Sequence, residues 1–441
     1  MLILRPTLIL GVVLLTIYWR LPRSYLGDSL FMKNYDHIII GGGILGLSIA
    51  YHLARDSRDS VVVLERNELA SAASSRAAGL VLQVTTKPSQ TAMTKRTCET
   101  IPLLERALGD TVGFHAVGSM RIASSPERIN ELVRMEQDAE DNNIPCQTLN
   151  ALEATEKAPW LDVNNAQRIT FFPTDGYVDP YRLSTSYGLA ARKLGVDIKP
   201  RCEVQNLLIE ANQVIGVQTE KGNIFGNSVT DAAGAWASLI SSHAGYLLPI
   251  APTRSHYWIS APNTNYGGDF PIVMLPDART YMRPEVDGML IGVQEPHSVT
   301  FDARDLPGNI NSFSPTKGEE HWEVIAGAME EIVAFFPKIK AAEFASYISG
   351  LSTYTPDGNL VLGAVPEVDN FFTATGCCGH GIAMSAGIGT AMSELLRGDT
   401  APVDLGPYEP SRFGKINPFS PEFRDRCAKA RTSKSHSSLA S

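Results

Sequence analysis

The 441-residue sequence lacks the features that mark several large classes of protein. Its six cysteines include no C-x-x-C pair and its histidines show no ligand spacing, so neither a metal site nor a disulfide framework is predicted. The net charge of −9, with basic residues scattered along the chain, argues against a nucleic-acid partner, because such binding needs a concentrated positive face. No internal repeat is visible. A reducing compartment is the default expectation.

A long hydrophobic run is also missing, apart from an apolar stretch near the start. Residues 7–19 give 13 apolar positions, whereas a bilayer-spanning helix needs roughly 20. Counted from Met1 the stretch is longer, because Arg5 lies near enough to its end to reach the interface. Two interpretations stay open: residues 1–31 are a membrane anchor, or Met32 is the true start. The first predicts membrane association and the second a cytoplasmic protein, and a mitochondrial location is not excluded.

The most informative stretch is residues 35–66, which reads as strand, glycine turn, helix, strand and acidic residue. Gly41, Gly43 and Gly46 form G-x-G-x-x-G directly after the β-branched run Ile38–Ile40. The first glycine permits a tight turn, the second leaves room for a pyrophosphate, and the third lets helix and strand pack closely. The helix N-terminus offers N–H groups and a positive dipole end to the pyrophosphate.

The residue that follows the second strand indicates which dinucleotide is bound. Val61–Leu64 supply that strand, and Glu65 comes next, 19 positions after Gly46. A carboxylate there accepts hydrogen bonds from both ribose hydroxyls of an adenosine and repels a 2′-phosphate. The stretch therefore predicts a dinucleotide-binding fold and disfavours an NADP-type ligand.

Periodicity along the rest of the chain predicts alternating helices and strands with an antiparallel region in the middle. Helices are expected at residues 90–108 (kinked or divided by Pro102), 126–142, 180–195 and 319–336. Residues 204–219 and 223–232 are expected to form a hairpin pair around Lys221-Gly222. Residues 249–292 alternate apolar and polar side chains, which is typical of an antiparallel sheet with one wet face. Residues 416–441 are expected to form a disordered tail.

Five ordered motifs carry a resemblance to a known family. They are G-x-G-x-x-G, D-G-Y-V-D-P at 175–180, A-A-G-A-W at 232–236, T-P-D-G at 355–358 and G-C-C-G-H-G-I at 376–382. Together they resemble the D-amino-acid oxidase-like FAD family, which includes glycine oxidase, sarcosine oxidase and dimethylglycine dehydrogenase. The resemblance covers about residues 33–415.

The resemblance implies an α/β fold in which a doubly wound, Rossmann-like FAD domain carries an inserted mixed or antiparallel-sheet substrate domain. The FAD domain would be assembled from residues 33–112, 175–245 and 350–415. The substrate domain would comprise residues 113–174 and 246–349.

The resemblance also implies which residues bind FAD. Gly41, Gly43 and Gly46 would hold the pyrophosphate, Glu65 the ribose, and the backbone at Val204 would meet the adenine. The further residues placed along the cofactor are Arg66, Ser74, Ser75, Ala78, Gly79, Gly234, Gly376, Gly379, His380, Gly381 and Ile382. The last five would run along the isoalloxazine, where backbone N–H groups stabilise the charge of the reduced ring.

Two departures from the family pattern bear on how FAD is held. Arg76 stands where dimethylglycine dehydrogenase-like sequences have a histidine that is covalently joined to the flavin. Gly350 stands where monomeric sarcosine oxidases have the attachment cysteine. Noncovalent FAD is therefore expected, with a link through Cys377 or Cys378 as the alternative.

The usual carboxylate anchors of the family are missing as well. Ser352 replaces the arginine of G-L-R-P, and Ala383 replaces a lysine that follows G-H-G in sarcosine oxidases. A substrate carboxylate would then meet Arg254, His256 or Arg283, since arginine suits bidentate pairing.

Two further residues are candidates for the catalytic site. Tyr281 matches an active-site tyrosine of glycine oxidase-like sequences, and its phenol would orient the substrate; the alternative is a place in the sheet core. His380 is expected beside the flavin, and its alternative is a loop histidine bonded to backbone.

The leading hypothesis is an FAD-dependent oxidoreductase that oxidises the CH–NH bond of a small secondary or N-methylated amino acid to an imine, by hydride transfer to flavin. Sarcosine, dimethylglycine and glycine are the model substrates, and oxygen or an electron carrier is the acceptor. One rival is an FAD-dependent 2-hydroxy acid-type dehydrogenase. A second rival is a flavin-holding assembly or regulatory protein, which the missing anchors and the apolar N-terminal segment favour.

Overall fold

The computed structural model describes residues 34–266 and 268–433. Its helices are α1 (Ile44–Asp56), α2 (Pro88–Leu108), α3 (Pro126–Asp141), α4 (Ala151–Lys157), α5 (Pro180–Lys193), α6 (Ala237–Ser242), α7 (Glu320–Val333), α8 (Ser385–Leu396) and α9 (Pro421–Thr432). Its strands are β1 (Asn34–Ile40), β2 (Val61–Leu64), β3 (Leu80–Val81), β4 (Phe114–His115), β5 (Ser119–Ala123), β6 (Gln147–Thr148), β7 (Arg168–Phe172), β8 (Gly176–Val178), β9 (Asp197–Lys199), β10 (Val204–Glu210), β11 (Gln213–Thr219), β12 (Gly222–Asp231), β13 (Ala251–Ser260), β14 (Ile272–Leu275), β15 (Thr280–Glu285), β16 (Gly288–Val293), β17 (Phe344–Tyr354), β18 (Val361–Ala364) and β19 (Phe371–Thr375).

The first sheet is built around parallel pairs at its centre. Its main path runs β10-β11-β12-β1-β2-β9, with β19 parallel to β12 and β18 antiparallel to β19. Ile38 in β1 pairs with Val62 on one side and Val229 on the other. These side chains are fully buried, as expected for strands covered on both faces. The mixed α/β fold agrees with the predicted class.

A layer of helices covers this sheet, and two glycines in α8 set how closely the helices approach. A Cβ at Gly389 would lie 2.3 Å from Ser48 Oγ in α1, and one at Gly387 would lie 2.3 Å from the Met93 Cα in α2. The side chains of Leu47 and Tyr187 are completely buried in the same layer. This packing fixes α1, and therefore the glycine turn before it, against the rest of the domain.

The second sheet is mostly antiparallel and follows the order β17-β13-β16-β15-β14-β5-β7-β6. One face packs against a core that contains Trp258, Met282 and Phe336, and α7 contributes Ile325 and Ile332 to it. A small third sheet has the order β3-β8-β4. Its strands belong to the chain segments that connect the two larger sheets.

Two local expectations hold in part. Pro102 neither divides nor ends α2, because its ring faces solvent while the neighbouring Ile101 and Leu104 are buried and hold the helix in place. The hairpin expected around Lys221-Gly222 is present, because β11 and β12 pair antiparallel with Thr219 opposite Gly222. Its first arm is not one strand, since left-handed conformations at Ala211 and Asn212 reverse the chain between β10 and β11. An alanine at such a position is not a usual turn signal.

The tail that was expected to be disordered from residue 416 contains helix α9. Ser420 caps it by accepting a hydrogen bond from the Phe423 amide, and Phe423, Cys427 and Arg431 form its buried face. This stripe packs the helix against β13 and β17. The predicted N-terminal anchor and the last eight residues lie outside the described residues. Within the described residues, no helix combines the length and apolarity needed to cross a bilayer.

Candidate active site

The glycine turn after β1 is tight at the two positions where the sequence predicts close packing. Gly41 has a φ of +111°, and a Cβ there would lie 2.5 Å from the Ala232 carbonyl oxygen. A Cβ at Gly46 would lie 2.0 Å from the Gly41 carbonyl oxygen. Both contacts are with backbone that cannot move aside, so only glycine fits either position.

The middle glycine of the motif, Gly43, is the N-cap of α1 and has no side chain to occupy the space before the helix. The nearest atom to a Cβ built there is Ser74 Oγ at 3.4 Å, and that hydroxyl accepts a hydrogen bond from the Ile44 amide at 3.0 Å. Among the described residues, the Ser74 hydroxyl is the one side chain bonded to the first turn of α1, so the positive end of the helix leaves room for an anion.

Glu65 is held rigidly at the end of β2. One carboxylate oxygen accepts the Gly42 amide at 2.8 Å, and the other accepts the Asn67 amide at 2.7 Å. Because each carboxylate oxygen can accept a second hydrogen bond, Glu65 is still able to receive two ribose hydroxyls.

Arg66 lies beside Glu65 and stacks on an indole. Its guanidinium carbon is 3.9 Å from the centroid of the Trp236 ring, and Glu203 is 3.9 Å from its Nη1. Burial lowers the pKa of Arg66 below its ordinary value. Its Nη2 atom is buried and has no hydrogen-bond partner among the described residues, which leaves a donor for a ligand.

These residues lie along an elongated cavity that encloses about 1450 Å³, part of it open to solvent. We call it the dinucleotide cavity. The predicted cofactor residues that line it are Gly41, Gly43, Glu65, Arg66, Ser74, Val204, Gly234, Gly379, Gly381 and Ile382. The other six predicted cofactor residues do not line it, and three of them, Ala78, Gly79 and His380, line an adjoining cavity instead. Gly46 packs against the turn, the Ser75 hydroxyl donates to the Ala72 carbonyl, and Gly376 packs against Val361.

A second cavity of about 1570 Å³ adjoins the first, and we call it the substrate cavity. Seven residues line both: Ala73, Arg76, Ala77, Leu351, Ser352, Gly379 and Ile382. The predicted residues Ala78, Gly79, His256, Tyr281 and His380 line the substrate cavity. The two cavities therefore share a wall, to which Gly379 and Ile382 of the loop Gly379–Ile382 contribute.

Tyr281 owes its position to a glycine on the next strand. It pairs with Gly292 across β15 and β16, and a Cβ at Gly292 would lie 2.0 Å from the Tyr281 Cζ. The phenol ring thus lies flat over β16 and reaches the substrate cavity. Burial raises the pKa of Tyr281, so its hydroxyl is protonated at neutral pH.

His256 is neutral and joins a short hydrogen-bonded chain. Its Nδ1 atom lies 2.9 Å from the Tyr347 hydroxyl, which lies 2.7 Å from Thr316 Oγ1. Burial, with a smaller contribution from nearby Arg431, lowers the pKa of His256 to about 3. The other ring nitrogen, Nε2, is buried without a hydrogen-bond partner among the described residues.

The structure does not bring the two predicted arginine anchors into the substrate cavity. Arg254 is buried between Glu295, at 2.6 Å, and Glu320. Arg283 donates to the Ala78 carbonyl at 2.7 Å and pairs with Glu285 at 2.6 Å. Their guanidinium groups already have carboxylate partners. The cavity residues that sequence reasoning missed include Arg121, Arg279, Gln294 and Arg431.

The two positions used for covalent flavin attachment elsewhere in the family are neighbours here. A Cβ at Gly350 would lie 3.0 Å from the Arg76 Cβ. The Arg76 guanidinium donates to the Ser71 carbonyl at 2.7 Å and to Asn311 at 2.9 Å. Burial raises the pKa of the Cys378 thiol to about 11, which disfavours the thiolate needed for a covalent link.

The described residues contain no candidate metal site. Across residues 34–266 and 268–433, no group of three His, Cys, Asp or Glu side chains is arranged to hold a metal ion.

The sequence model described as FAD dependent oxidoreductase matches residues 36–395, which is more than half of the chain. This chain belongs to the FAD-dependent oxidoreductase family. FAD is its cofactor, and the dinucleotide cavity fits it. The space at Gly43 leaves room for phosphate, Glu65 can receive the ribose, and the Arg66 Nη2 atom has no partner among the described residues.

Comparison with known proteins gives similar relatives of different functions. The chain is 29% identical over 390 residues to mitochondrial dimethylglycine dehydrogenase of Rattus norvegicus, a match that covers 86% of this chain and 45% of that protein. It is 25% identical over 384 residues to the mitochondrial pyruvate dehydrogenase phosphatase regulatory subunit of Mus musculus, covering 86% and 43%. The chain therefore spans less than half the length of these two relatives.

A solved structure matches along its whole length. The L-proline dehydrogenase from P. horikoshii is 26% identical to this chain, with a TM-score of 0.76. The match covers 88% of this chain and 100% of that one.

Proposed function

We propose that the protein oxidises the CH–NH bond of a small secondary or N-methylated amino acid, with FAD as the hydride acceptor and an imine as the product. The observation that carries the proposal is the wall that the two cavities share, which includes Gly379 and Ile382 of the loop Gly379–Ile382. A ligand in the substrate cavity would thus lie next to the cofactor. Bound FAD supplies the oxidising chemistry, and the chain binds and orients the substrate.

The walls of the substrate cavity suit an amine that must arrive uncharged. Tyr281 remains a neutral phenol, because its pKa is raised, and can donate a hydrogen bond. His256 remains a neutral imidazole, because its pKa is lowered to about 3. A base this weak does not take a proton from an ammonium group, so its role would be to orient the substrate.

The relatives support the same chemistry. The dimethylglycine dehydrogenase and the L-proline dehydrogenase are both named for the oxidation of a secondary or tertiary amino acid. We also propose that FAD is held noncovalently, since neither Arg76 nor Gly350 can form the link used elsewhere. The electron acceptor is proposed to be oxygen or an electron carrier.

Product analysis tests which bond is oxidised. The full-length protein, loaded with FAD, would be incubated with an artificial dye acceptor and separately with sarcosine, dimethylglycine, proline, lactate and glycerol 3-phosphate. We expect dye reduction with at least one of the amines, together with the carbonyl compound released by imine hydrolysis. Turnover of only lactate or glycerol phosphate would overturn the proposal in favour of C–OH oxidation.

A second candidate, a flavin-holding regulatory or assembly protein, is favoured by the similarity to the phosphatase regulatory subunit. It predicts that FAD binds and that none of the five compounds reduces the dye. An apoprotein prepared from the same batch is the matched control, because dye reduction without FAD would come from a contaminant.

A further inference from the structure

Helix α9 brings a residue into the substrate cavity from beyond the part of the chain that the family model matches. The match ends at residue 395, whereas α9 spans Pro421–Thr432. Phe423 and Cys427 fix the helix against β13 and β17, and Arg431 follows on the same buried face. Arg431 lines the substrate cavity and is 6% exposed.

Four arginines line this cavity, and Arg431 differs from the others in having no oxygen partner within the described part of the chain. Arg76 donates to backbone carbonyls and Asn311, Arg121 donates to the Val84 carbonyl at 2.8 Å, and Arg279 lies 3.8 Å from Glu331. Arg431 makes no hydrogen bond or ion pair with its side chain among the described residues, and its Nε atom is buried and unsatisfied. Its one contact of note is with the Tyr354 ring, 5.7 Å from the centroid.

The Nε atom of Arg431 is buried without a partner among the described residues, and a largely buried guanidinium that lacks an anion carries a desolvation cost. Removing an ion from water costs several kcal/mol, and a cation–π contact returns roughly 0.5–2 kcal/mol. The remaining cost is offset when an anion enters the cavity and accepts hydrogen bonds from the guanidinium. A largely buried arginine that lines a cavity and lacks an anionic partner is therefore suited to bind a carboxylate.

The other groups around Arg431 include no carboxylate that is free to pair with it among the described residues. Glu131 is the acidic residue that lines the substrate cavity in the described chain, and it already pairs with Arg128 at 2.6 Å. His256 and Tyr281 lie close enough to Arg431 to feel its charge, and both are neutral. The Gln294 Oε1 atom is likewise buried without a partner among the described residues, so a donor group of the ligand could bond to it.

We propose that Arg431 binds the carboxylate of the substrate and thereby restricts the enzyme to amino acids with a free carboxylate. The inference rests on the proposed amino-acid oxidation. It explains how the chain operates with Ser352 and Ala383 at the usual anchor positions and with Arg254 and Arg283 already paired. The anchor would come from a C-terminal helix instead of from the central sheets.

The test is carboxylate binding, which does not require turnover. Acetate would be titrated into the FAD-loaded, full-length protein, and its Kd read from the perturbation of the flavin absorbance. We expect Arg431→Gln to raise the Kd by about 30-fold or more, as for loss of one partner of a buried charge pair. Arg431→Lys should give an intermediate Kd, because it keeps the charge and loses the planar fork.

Arg426→Gln is the matched control, since Arg426 is exposed on the same helix, and its Kd should equal that of the wild type. An Arg431→Gln protein that binds acetate with the wild-type Kd would overturn the inference. If that variant does not fold, the wild type is titrated with acetamide, which has the shape of acetate without its charge. Equal affinity of the wild type for acetate and acetamide would also overturn the inference. Acetate binding without reduction of the flavin by any amino acid would instead contradict the proposed function alone.

Discussion

At the scale of single residues, the position of the Tyr281 phenol depends on Gly292. Because a Cβ at Gly292 would overlap the ring carbons, Gly292→Ala must displace the phenol from the substrate cavity. We predict a loss of stability of about 1–3 kcal/mol from overpacking and flavin reduction that is roughly 10- to 100-fold slower. Chemical denaturation and stopped-flow absorbance would measure the two effects.

Gly308→Ala serves as the control for that prediction, because nothing lies within 4 Å of a Cβ at Gly308. Equal reduction rates in the Gly292→Ala variant and the wild type would show that the phenol has no role in orienting substrate.

Asp231, at the end of β12, is expected to make the stability of the protein depend on pH. Burial raises its pKa to about 8, and one of its carboxylate oxygens has no partner among the described residues. The folded protein therefore retains a proton that the unfolded chain releases near pH 4, so this group makes stability fall as pH rises from about 4 to 8. Asp231→Asn should raise the free energy of unfolding at pH 8 by up to about 5 kcal/mol.

Denaturant unfolding at pH 5, 6.5 and 8 would follow the effect of Asp231. The gain from Asp231→Asn should grow with pH across this series. A gain that stays constant from pH 5 to 8 would contradict the assignment of a raised pKa.

The sequence indicated the positions of the residues around the dinucleotide cavity more directly than those around the substrate cavity. Glu65 and the glycines occupy positions defined by a local strand–turn–helix unit, so their spacing along the chain carries their geometry. Arg254 and Arg283 lie on strands, where alternation indicates the face but not the partner. Glu295, the partner of Arg254, is supplied by a separate part of the chain, and only the folded structure shows that the charge is already paired.

At the scale of elements, α9 is the helix that the sequence interpretation missed. Its composition is strongly polar, and its apolar face consists of Phe423 and Cys427 alone. Ser420 followed by Pro421 was an available signal, since this pair is typical of a helix start. Tertiary packing against β13 and β17 supplies the stability that the polar sequence does not suggest.

Phe423→Ala tests whether that packing holds α9 in place. The side chain is 5% exposed and lies in a cluster with Ala251, Tyr354 and Cys427. We predict a loss of about 3 kcal/mol in the free energy of unfolding, with Glu422→Ala as the exposed control on the same turn. Acetate binding should weaken as well, because α9 carries Arg431. A change under 1 kcal/mol would mean that the helix is not anchored by this residue.

At the scale of the whole molecule, two buried histidines predict sensitivity to acid. Burial lowers the pKa of both His52 and His256 to about 3. The unfolded chain takes up protons near pH 6.5 that the folded protein refuses, so the stability present above pH 6.5 is lost as pH falls towards 3. At pH 5 each histidine should lower the free energy of unfolding by about 2 kcal/mol relative to its value at pH 7.

Urea unfolding at pH 7, 6 and 5 would measure this acid effect, with His52→Gln as the variant outside the substrate cavity. Its stability should fall less steeply with acid than that of the wild type. Identical slopes for the two proteins would contradict the lowered pKa of His52.

The overall architecture was predictable because its motifs are spread along the chain. The glycine fingerprint follows the first strand of the first sheet, residues 232–236 follow its strand β12, and the loop at 376–382 follows β19. Their order implies a sheet assembled from distant segments with other structure between them. The substrate cavity could not be derived in this way, since its walls come from strands, a loop and a C-terminal helix that no local pattern connects.

The measurement that tests the central claim most directly is the flavin absorbance of the FAD-loaded, full-length protein under strict exclusion of oxygen. The account predicts that sarcosine, dimethylglycine or proline bleaches the oxidised flavin band in a single turnover, without any added acceptor. A flavin that dithionite reduces but that every one of these amino acids leaves oxidised would contradict it.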